Sequence, residues 1–432
     1  MYRACSAKWL CLLFSAVALV GTNLAVGKDA AKPVSKKVLV HALKEGNEKL
    51  RAEALKHLET QGDDKITSEV LIKILDPEVK RGSLRDSTLR MVRMLGSLDT
   101  QEAFDALKDY LEASNYRIAS VAAESLGTKG TEAAFDALGE AVKSKQFRSV
   151  FGFRRSVVMA MLRFDDRKAI DFAVTSLPKV EGLLRVDMID YLKRKSGQDH
   201  GRDVEAWAKW WAENKDDESL DTKSVAFADD GGLKSPRNDA PGGEDDGDAA
   251  KGERSSTYYD IKIYAKRIVF VIDTSSSMVR TGNRLDAAKK ELALTIRNLV
   301  DDTYFTIIAY NANNRTFSRR LVKATGANRA AAVKWVSYLQ WARGTNSHGA
   351  LKAAFLVDPN TETIFFLSDG KPSRGEIVEP EAILAAIKKE NAFRKMVINT
   401  IGIFTGEQPD EKLVAFMKDL AKQNTGVYKE VK

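Results

Sequence analysis

The stretch "RIVFVIDTSSSM", Arg267 to Met278, changes character half-way along. Its first half is a run of apolar, mostly β-branched residues, which predicts a buried strand. Asp273 and a series of hydroxyl side chains follow at once, and no apolar residue continues the run. Parallel sheets bind their ligands just beyond the carboxyl ends of the strands. The stretch therefore predicts a strand that delivers Asp273, Ser275 and Ser277 to one site.

From this stretch onward the chain alternates between strand and helix patterns. We expect strands at 267–272, 304–310, 316–322, 363–367, 397–404 and near 427, with helices at 285–299, 328–339, 349–355, 381–390 and 410–422. Repeated βα units predict a doubly wound, Rossmann-like α/β domain with a mostly parallel sheet. We place this domain at 260–432.

Two further segments offer oxygen atoms to the same edge of the predicted sheet. Asp369 in "IFFLSDG" ends another buried run, and Thr345 in "RGTNSHGAL" lies in a loop that leads into a helix. Together with the first loop they supply carboxylates and hydroxyls but no thiolate. Such hard donors suit magnesium, manganese or calcium rather than zinc or copper.

These residues resemble a known motif, the metal-ion-dependent adhesion site of the von Willebrand factor A domain. The segment "DTSSS" matches its D-x-S-x-S element at Asp273, Ser275 and Ser277, "GTN" matches its threonine loop at Thr345, and "SDG" matches its last aspartate at Asp369. The five positions occur in the family's order and on the expected elements.

The resemblance covers about 266–431 and implies a function. Hydroxyls of Ser275, Ser277 and Thr345 would ligate a divalent cation directly, while Asp273 and Asp369 would ligate it or hold its waters. We expect magnesium, with manganese or calcium as alternatives. A protein partner would add an Asp or Glu carboxylate as the sixth ligand, and the domain would bind without catalysing a reaction. Ser276 departs from the glycine of many members, which makes the turn less free.

Other interpretations of these residues are weaker. Serines after a strand often cap a helix, which explains one loop but not three. A phosphoryl-transfer hydrolase needs a second carboxylate at position 275, where the chain has serine, and Ser347 lacks the surrounding G-x-S-x-G pattern. His348, next to it, is expected to be exposed at a helix start. A metal-dependent hydrolase remains the catalytic alternative.

The first half of the chain, 34–214, has helical periodicity throughout. "LGSLDTQEAFDAL" from Leu95 and "LGTKGTEAAFDAL" from Leu126 repeat at an offset of 31 residues, which is typical of stacked helix pairs. We predict an all-α solenoid that resembles HEAT repeats, closed by a tryptophan-rich helix with Trp207, Trp210 and Trp211. In an alternative function this array is the main scaffold and the metal site is accessory. Its arginines at 81, 85, 90 and 93 would then receive an acidic partner, although a solvated face is favoured.

The two ends of the helical half are predicted to be a signal peptide and a linker. Basic residues, an apolar run and small residues at 1–27 predict a signal peptide. We therefore expect an exported protein that is not stably inserted in a membrane after removal of the peptide.

Residues 215–256 predict a flexible acidic linker, because 213–254 carry a net charge of −7. The remaining +15 is spread among acidic residues without a basic run, which disfavours nucleic acid as a partner.

Overall fold

The computed structural model describes residues 34–164, 166–222, 225–227, 256–280, 283–404 and 410–431. The predicted signal peptide and most of the predicted linker lie outside these ranges. The chain divides into two compact units, Met1–Ala141 and Val142–Lys432. Within the described ranges, no helix is long and apolar enough to cross a lipid bilayer.

The first unit is helical, as predicted. Its helices are α1 (Lys36–Glu45), α2 (Glu48–Gln61), α3 (Asp64–Lys80), α4 (Asp86–Ser97), α5 (Gln101–Tyr110), α6 (Tyr116–Lys129) and α7 (Glu132–Ala141). Side-chain oxygens of Asn47, Asp63 and Thr100 accept hydrogen bonds from backbone N–H groups at the starts of α2, α3 and α5. The sequence echo runs from the end of α4 into α5 and from the end of α6 into α7, and α4 packs on α6 with Leu95 and Leu126 fully buried.

The second unit opens with more helices: α8 (Lys145–Ser149), α9 (Phe151–Leu162), α10 (Arg167–Ser176), α11 (Gly182–Ser196) and α12 (Val204–Asn214). Trp207 on α12 is fully buried, and Trp211 donates a 2.9 Å hydrogen bond from Nε1 to Asp171 on α10. These tryptophans therefore pack one helix on another. A 3₁₀ helix, Glu218–Thr222, follows inside the segment assigned to the linker, and its Asp221 forms an ion pair with Arg167.

The rest of the second unit is an α/β domain, as predicted. Its strands are β1 (Ser256–Tyr258), β2 (Ile261–Ile263), β3 (Arg267–Asp273), β4 (Tyr304–Tyr310), β5 (Asn314–Thr316), β6 (Val322–Lys323), β7 (Thr363–Ser368), β8 (Val397–Ile403) and β9 (Tyr428–Val431). The helices between them are α13 (Ser277–Arg280), α14 (Arg284–Asn298), α15 (Gly326–Ser337), α16 (Ser347–Phe355), α17 (Pro380–Arg394) and α18 (Glu411–Gln423).

The main sheet has the order β5–β4–β3–β7–β8–β9, with β6 also paired to β4. β3, β4, β7, β8 and β9 are parallel, whereas β5 and β6 run antiparallel to β4. The single edge strand predicted at 316–322 is thus two short strands. Between them, the Thr306 hydroxyl donates to Ser318 O and accepts from Ser318 N, so a side chain replaces the regular backbone pairing.

Both faces of the central strands are covered. Every residue of β7 and β8 is buried. Val269 and Val271 of β3 join an apolar cluster with residues of α16, α17 and α18, whereas Phe270 stacks on Phe365 with ring centroids 5.6 Å apart. This burial on two sides explains why the strands are short continuous apolar runs in the sequence.

Helices α9 and α11 anchor the amino edge of this sheet. Arg155 on α9 forms a buried ion pair with Asp187 on α11, at 2.8 Å, and donates to Lys395 O just before β8, at 2.7 Å. Glu362, just before β7, is buried and accepts a 3.0 Å hydrogen bond from the backbone N–H of Leu183 on α11. The α/β domain and these helices therefore share one buried interface.

The closest approach in this interface predicts a glycine requirement. A Cβ added at Gly152 on α9 would lie 1.9 Å from Phe393 O, whereas one added at Gly139 on α7 would meet nothing within 4 Å. We expect Gly152→Ala to destabilise the second unit by about 1–3 kcal/mol through overpacking. The control Gly139→Ala should be neutral or stabilise its helix by up to ~1 kcal/mol. Urea unfolding of the full chain measures both, and equal effects would contradict the close contact.

Buried Glu362 predicts a pH dependence. Burial raises its pKa above the usual 4.5, although hydrogen bonds from Leu183 and Lys266 and the charge of Arg267 oppose the shift. The folded chain then holds this proton to higher pH than the unfolded chain, so its contribution to stability falls as pH rises above 4.5. Urea unfolding measures the free energy of unfolding at several pH values. Relative to wild type, this free energy should increase for Glu362→Gln as the pH rises from acidic to neutral. Exposed Glu379→Gln is the control, and a pH-independent difference between Glu362→Gln and wild type would refute the raised pKa of Glu362.

Candidate metal centre

The carboxyl ends of β3 and β7 bring two loops together. The strands are parallel neighbours with Ile272 opposite Leu367, so Asp273 and Asp369 leave the sheet at the same edge. Both side chains are buried, Asp273 completely. Each strand is fixed by a partner on both sides, which holds the two carboxylates in place.

Asp273 is held by uncharged donors. Its Oδ1 accepts a 2.7 Å hydrogen bond from Ser275 N, and its Oδ2 accepts a 2.6 Å bond from the Ser368 hydroxyl. Burial, and then the charge of Asp369, raise the pKa of Asp273 to about 7. Below this pKa the Asp273 carboxyl holds a proton. A cation bound at this edge would favour the ionised carboxylate and displace that proton.

The hydroxyls of the first loop link the two carboxylates. Ser275 Oγ lies 2.9 Å from Ser277 Oγ, and Ser277 Oγ donates a 2.7 Å hydrogen bond to Asp369 Oδ1. Ser275 is buried and Ser277 is half-buried. Four of the five residues that the sequence predicted therefore form one connected group.

Thr345 approaches from a third loop, before α16. Its N–H donates to the Ser373 hydroxyl at 3.1 Å, and its carbonyl accepts from Ser373 N at 2.9 Å. A Cβ added at Gly370 would lie 2.9 Å from Ser277 Oγ and 3.8 Å from Thr345 Oγ1. The hydroxyls of Ser277 and Thr345 thus border one small space beside Gly370.

Sequence reasoning missed Arg284, the first residue of α14. Its side chain is buried, and Nη1 donates to Asp369 Oδ2 at 3.0 Å. A positively charged side chain in the first turn of a helix is unfavourable with the helix dipole. Asp369, rather than the helix, therefore stabilises the guanidinium of Arg284. Burial still raises the pKa of Asp369 above its usual value, although Ser277 and Arg284 oppose the shift. A lone arginine after a motif carries no pattern that would have revealed this pair.

The donor set fits a hard divalent cation. It offers two carboxylates and three hydroxyls, all oxygen atoms. Tyr310, paired with Asp273 across β3 and β4, is fully buried, and burial and then the charge of Asp273 raise its pKa. In the part of the chain that the structure describes, no three His, Cys, Asp or Glu side chains are placed to hold a metal ion, so the hydroxyls are needed to complete a site.

The geometry does not assemble a serine dyad. Ser347 Oγ is buried without a hydrogen-bond partner in the described ranges, so it is not bonded to His348. The expectation that His348 is exposed is wrong, since it is 7% exposed. It lies in the first turn of α16, which packs against β3 and β4, and burial lowers its pKa.

Comparison with known proteins identifies this part of the chain. The family model for the von Willebrand factor type A domain matches residues 266–430. This segment is a von Willebrand factor type A domain.

The alignments with the sequence relatives cover 38% of this chain. Inter-alpha-trypsin inhibitor heavy chain H2 of Homo sapiens is 28% identical over 177 residues, 38% of this chain and 18% of that protein. A von Willebrand factor A domain-containing protein of Dictyostelium discoideum is 31% identical over 173 residues, 38% of this chain and 7% of that protein. Among solved structures, a von Willebrand factor type A protein from Catenulispora acidiphila is 24% identical, covers 40% of each chain and has a TM-score of 0.34. The chain thus spans less than a fifth of these two sequence relatives.

The buried Arg284–Asp369 pair predicts how the site responds to a lost charge. Arg284→Gln leaves Asp369 buried without its cation, which should destabilise the ion-free chain by about 3–5 kcal/mol. Millimolar Mn²⁺ should restore more stability to this variant than it adds to wild type, because it replaces the missing charge. Urea unfolding with and without Mn²⁺ measures both effects, with exposed Arg297→Gln on the same helix as control. An equal gain from Mn²⁺ in wild type and Arg284→Gln would contradict this role.

Proposed function

We propose that the von Willebrand factor type A domain binds a divalent cation through Asp273, Ser275, Ser277, Thr345 and Asp369. Magnesium is the expected ion, with manganese or calcium as alternatives. The observation that carries the proposal is the convergence of two buried carboxylates and three hydroxyls at one edge of the sheet. The connected hydrogen bonds hold these oxygens ready for a cation, so little rearrangement is needed to bind it.

Within this proposal the chain's residues have distinct roles. The hydroxyls of Ser275, Ser277 and Thr345 would contact the ion, whereas Asp273 and Asp369 would ligate it or hold its waters. Arg284 already compensates part of the Asp369 charge. A bound ion would keep much of its positive charge and supply a coordination position for a carboxylate.

We infer from this chemistry a non-enzymatic binding protein whose partner is a protein with an exposed Asp or Glu. The hydrolase alternative lacks support, because position 275 offers a hydroxyl where that mechanism needs a carboxylate. We also propose that the protein is exported. The support is the order of basic residues, an apolar run and small residues at 1–27, which is typical of a signal peptide.

The helical half is proposed as a second interaction surface built from HEAT-like repeats over 34–214. The packing of α4 on α6, with Leu95 and Leu126 in equivalent buried positions, supports a repeat. Arg85 forms an ion pair with Glu78, and Arg90 forms one with Glu59. These internal pairs favour a solvated face over a surface reserved for an acidic partner, so the metal domain remains the main proposed site.

Thermal unfolding of the full chain with Mg²⁺, Mn²⁺ and Ca²⁺ tests the metal site. Binding to the folded state alone should stabilise it by about 2.7 kcal/mol at a hundredfold excess over Kd. Asp273→Ala and Ser277→Ala should lose this gain. Asp273→Ala should remain folded without ion, because it removes a buried carboxylate.

Exposed Asp286→Ala, on the adjacent helix α14, is the matched control and should keep the full gain. A gain that survives Asp273→Ala undiminished would refute the assigned ligands. No gain with any of the three ions would refute the site.

A further inference from the structure

We propose that the loops around the candidate metal centre form a basic, aromatic surface that binds an acidic peptide segment of a protein partner. We call this surface the rim and define it as Arg280, Trp341, Arg343 and Arg374. The inference rests on the proposed metal-dependent function and adds to it the kind of sequence that would flank the metal-bound carboxylate.

Backbone bonds fix the first part of the rim next to the predicted ligands. Ala342 N donates to Thr274 O at 3.0 Å, and Ala342 forms an isolated parallel bridge with Ser275. Trp341 and Arg343 flank this attachment point, and Arg343 lies two residues before Thr345. Their positions are therefore set by the same loop that supplies the hydroxyls.

The other cations of the rim are attached equally closely. Arg374 N donates to Thr345 O at 3.2 Å, and a Cβ added at Gly344 would lie 2.7 Å from Arg374 Cγ, so the arginine stem runs along the threonine loop. Arg280 ends the short helix that Ser277 begins, which separates their Cα atoms by about 5 Å. Cations from three loops thus border one site.

The charge of these loops is unbalanced. Segments 274–280, 338–346 and 370–376 contain four cations and one carboxylate, Glu376. Lys371 forms an ion pair with Asp410, and Glu376 forms one with Lys352. Arg280, Arg343 and Arg374 are exposed and form no ion pair with any residue that the structure describes. A ligand with a single carboxylate would leave these three charges unmatched.

Trp341 adds an apolar element. Half of its surface is exposed, at 50%, although its neighbour Ala342 is fixed by backbone bonds. Exposed tryptophan and arginine side chains are the residue types that dominate protein–protein binding energy. A sulfated polysaccharide would match the arginines but make less use of an indole, so the combination favours a peptide.

The spacing defines the peptide. The Cα atoms of Arg280 and Arg343 lie roughly 5–7 Å from those of Ser277 and Thr345. An extended peptide advances about 3.3 Å per residue. Acidic residues two to four positions from the metal-bound Asp or Glu would therefore reach the rim.

Fluorescence anisotropy with the full chain in saturating Mg²⁺ tests the rim. The probes are three labelled octapeptides of glycine and serine: one with a central Glu, one with that Glu flanked by Asp two residues away on each side, and the same with Asn for Asp. Wild type should bind the triacidic peptide about tenfold more tightly than the others. Arg343→Gln/Arg374→Gln should lose this preference and keep the metal-dependent thermal gain. Trp341→Ala should weaken all three peptides about equally.

Exposed Arg319→Gln is the matched control, because its neighbour Ser318 is bonded to Thr306 near the opposite edge of the sheet. An unchanged preference in Arg343→Gln/Arg374→Gln would overturn the proposal. Rim-dependent binding of a sulfated oligosaccharide, tighter than that of the triacidic peptide, would overturn the choice of a peptide. No peptide binding with an intact thermal gain would overturn the rim alone, whereas loss of the thermal gain in wild type would overturn the metal site as well.

Discussion

The second unit depends on a single electrostatic constraint at the carboxyl edge of its sheet. Asp273 and Asp369 are buried at the ends of neighbouring strands, and the charge of Asp369 raises the cost of ionising Asp273. Serine hydroxyls and one backbone N–H satisfy their oxygens as hydrogen-bond acceptors, and among the residues that the structure describes only Arg284 brings a positive charge to them. When both carboxylates are ionised, two negative charges face one positive charge, and the site lacks a cation. A divalent ion is the simplest group that removes this imbalance.

The fold separates this site from the surface where the helices attach. Strand β3 spans about 20 Å from Arg267 to Asp273. At its amino end, buried Glu362 and the Arg155–Asp187 pair connect the strands to α9 and α11. At its carboxyl end, the loops around the candidate metal centre are tied to one another by backbone bonds. The helices α9 and α11 therefore stabilise the sheet from the end opposite the candidate metal centre.

Local patterns in the sequence predicted most of the domain. Continuous apolar runs located the buried strands, and the residues after them include the four connected members of the candidate site. The sequence could not predict the Arg284–Asp369 pair, because contact between residues 85 positions apart depends on the whole fold. The attachment of α9 to Phe393 was hidden for the same reason, since Gly152 has no side chain to signal it. His348 was misjudged because its burial comes from packing of α16 against β3 and β4 rather than from its neighbours in sequence.

Titration of the full chain with Mn²⁺, with the free ion followed by electron paramagnetic resonance, asks whether the two buried carboxylates bind a cation. We expect one tight site per chain, from which Mg²⁺ displaces Mn²⁺, and no such site in Asp369→Asn. Arg284→Gln should bind Mn²⁺ more tightly, because the competing guanidinium is gone. Absence of a stoichiometric site in wild type, or a site that persists in Asp369→Asn, would show that these carboxylates do not hold the ion.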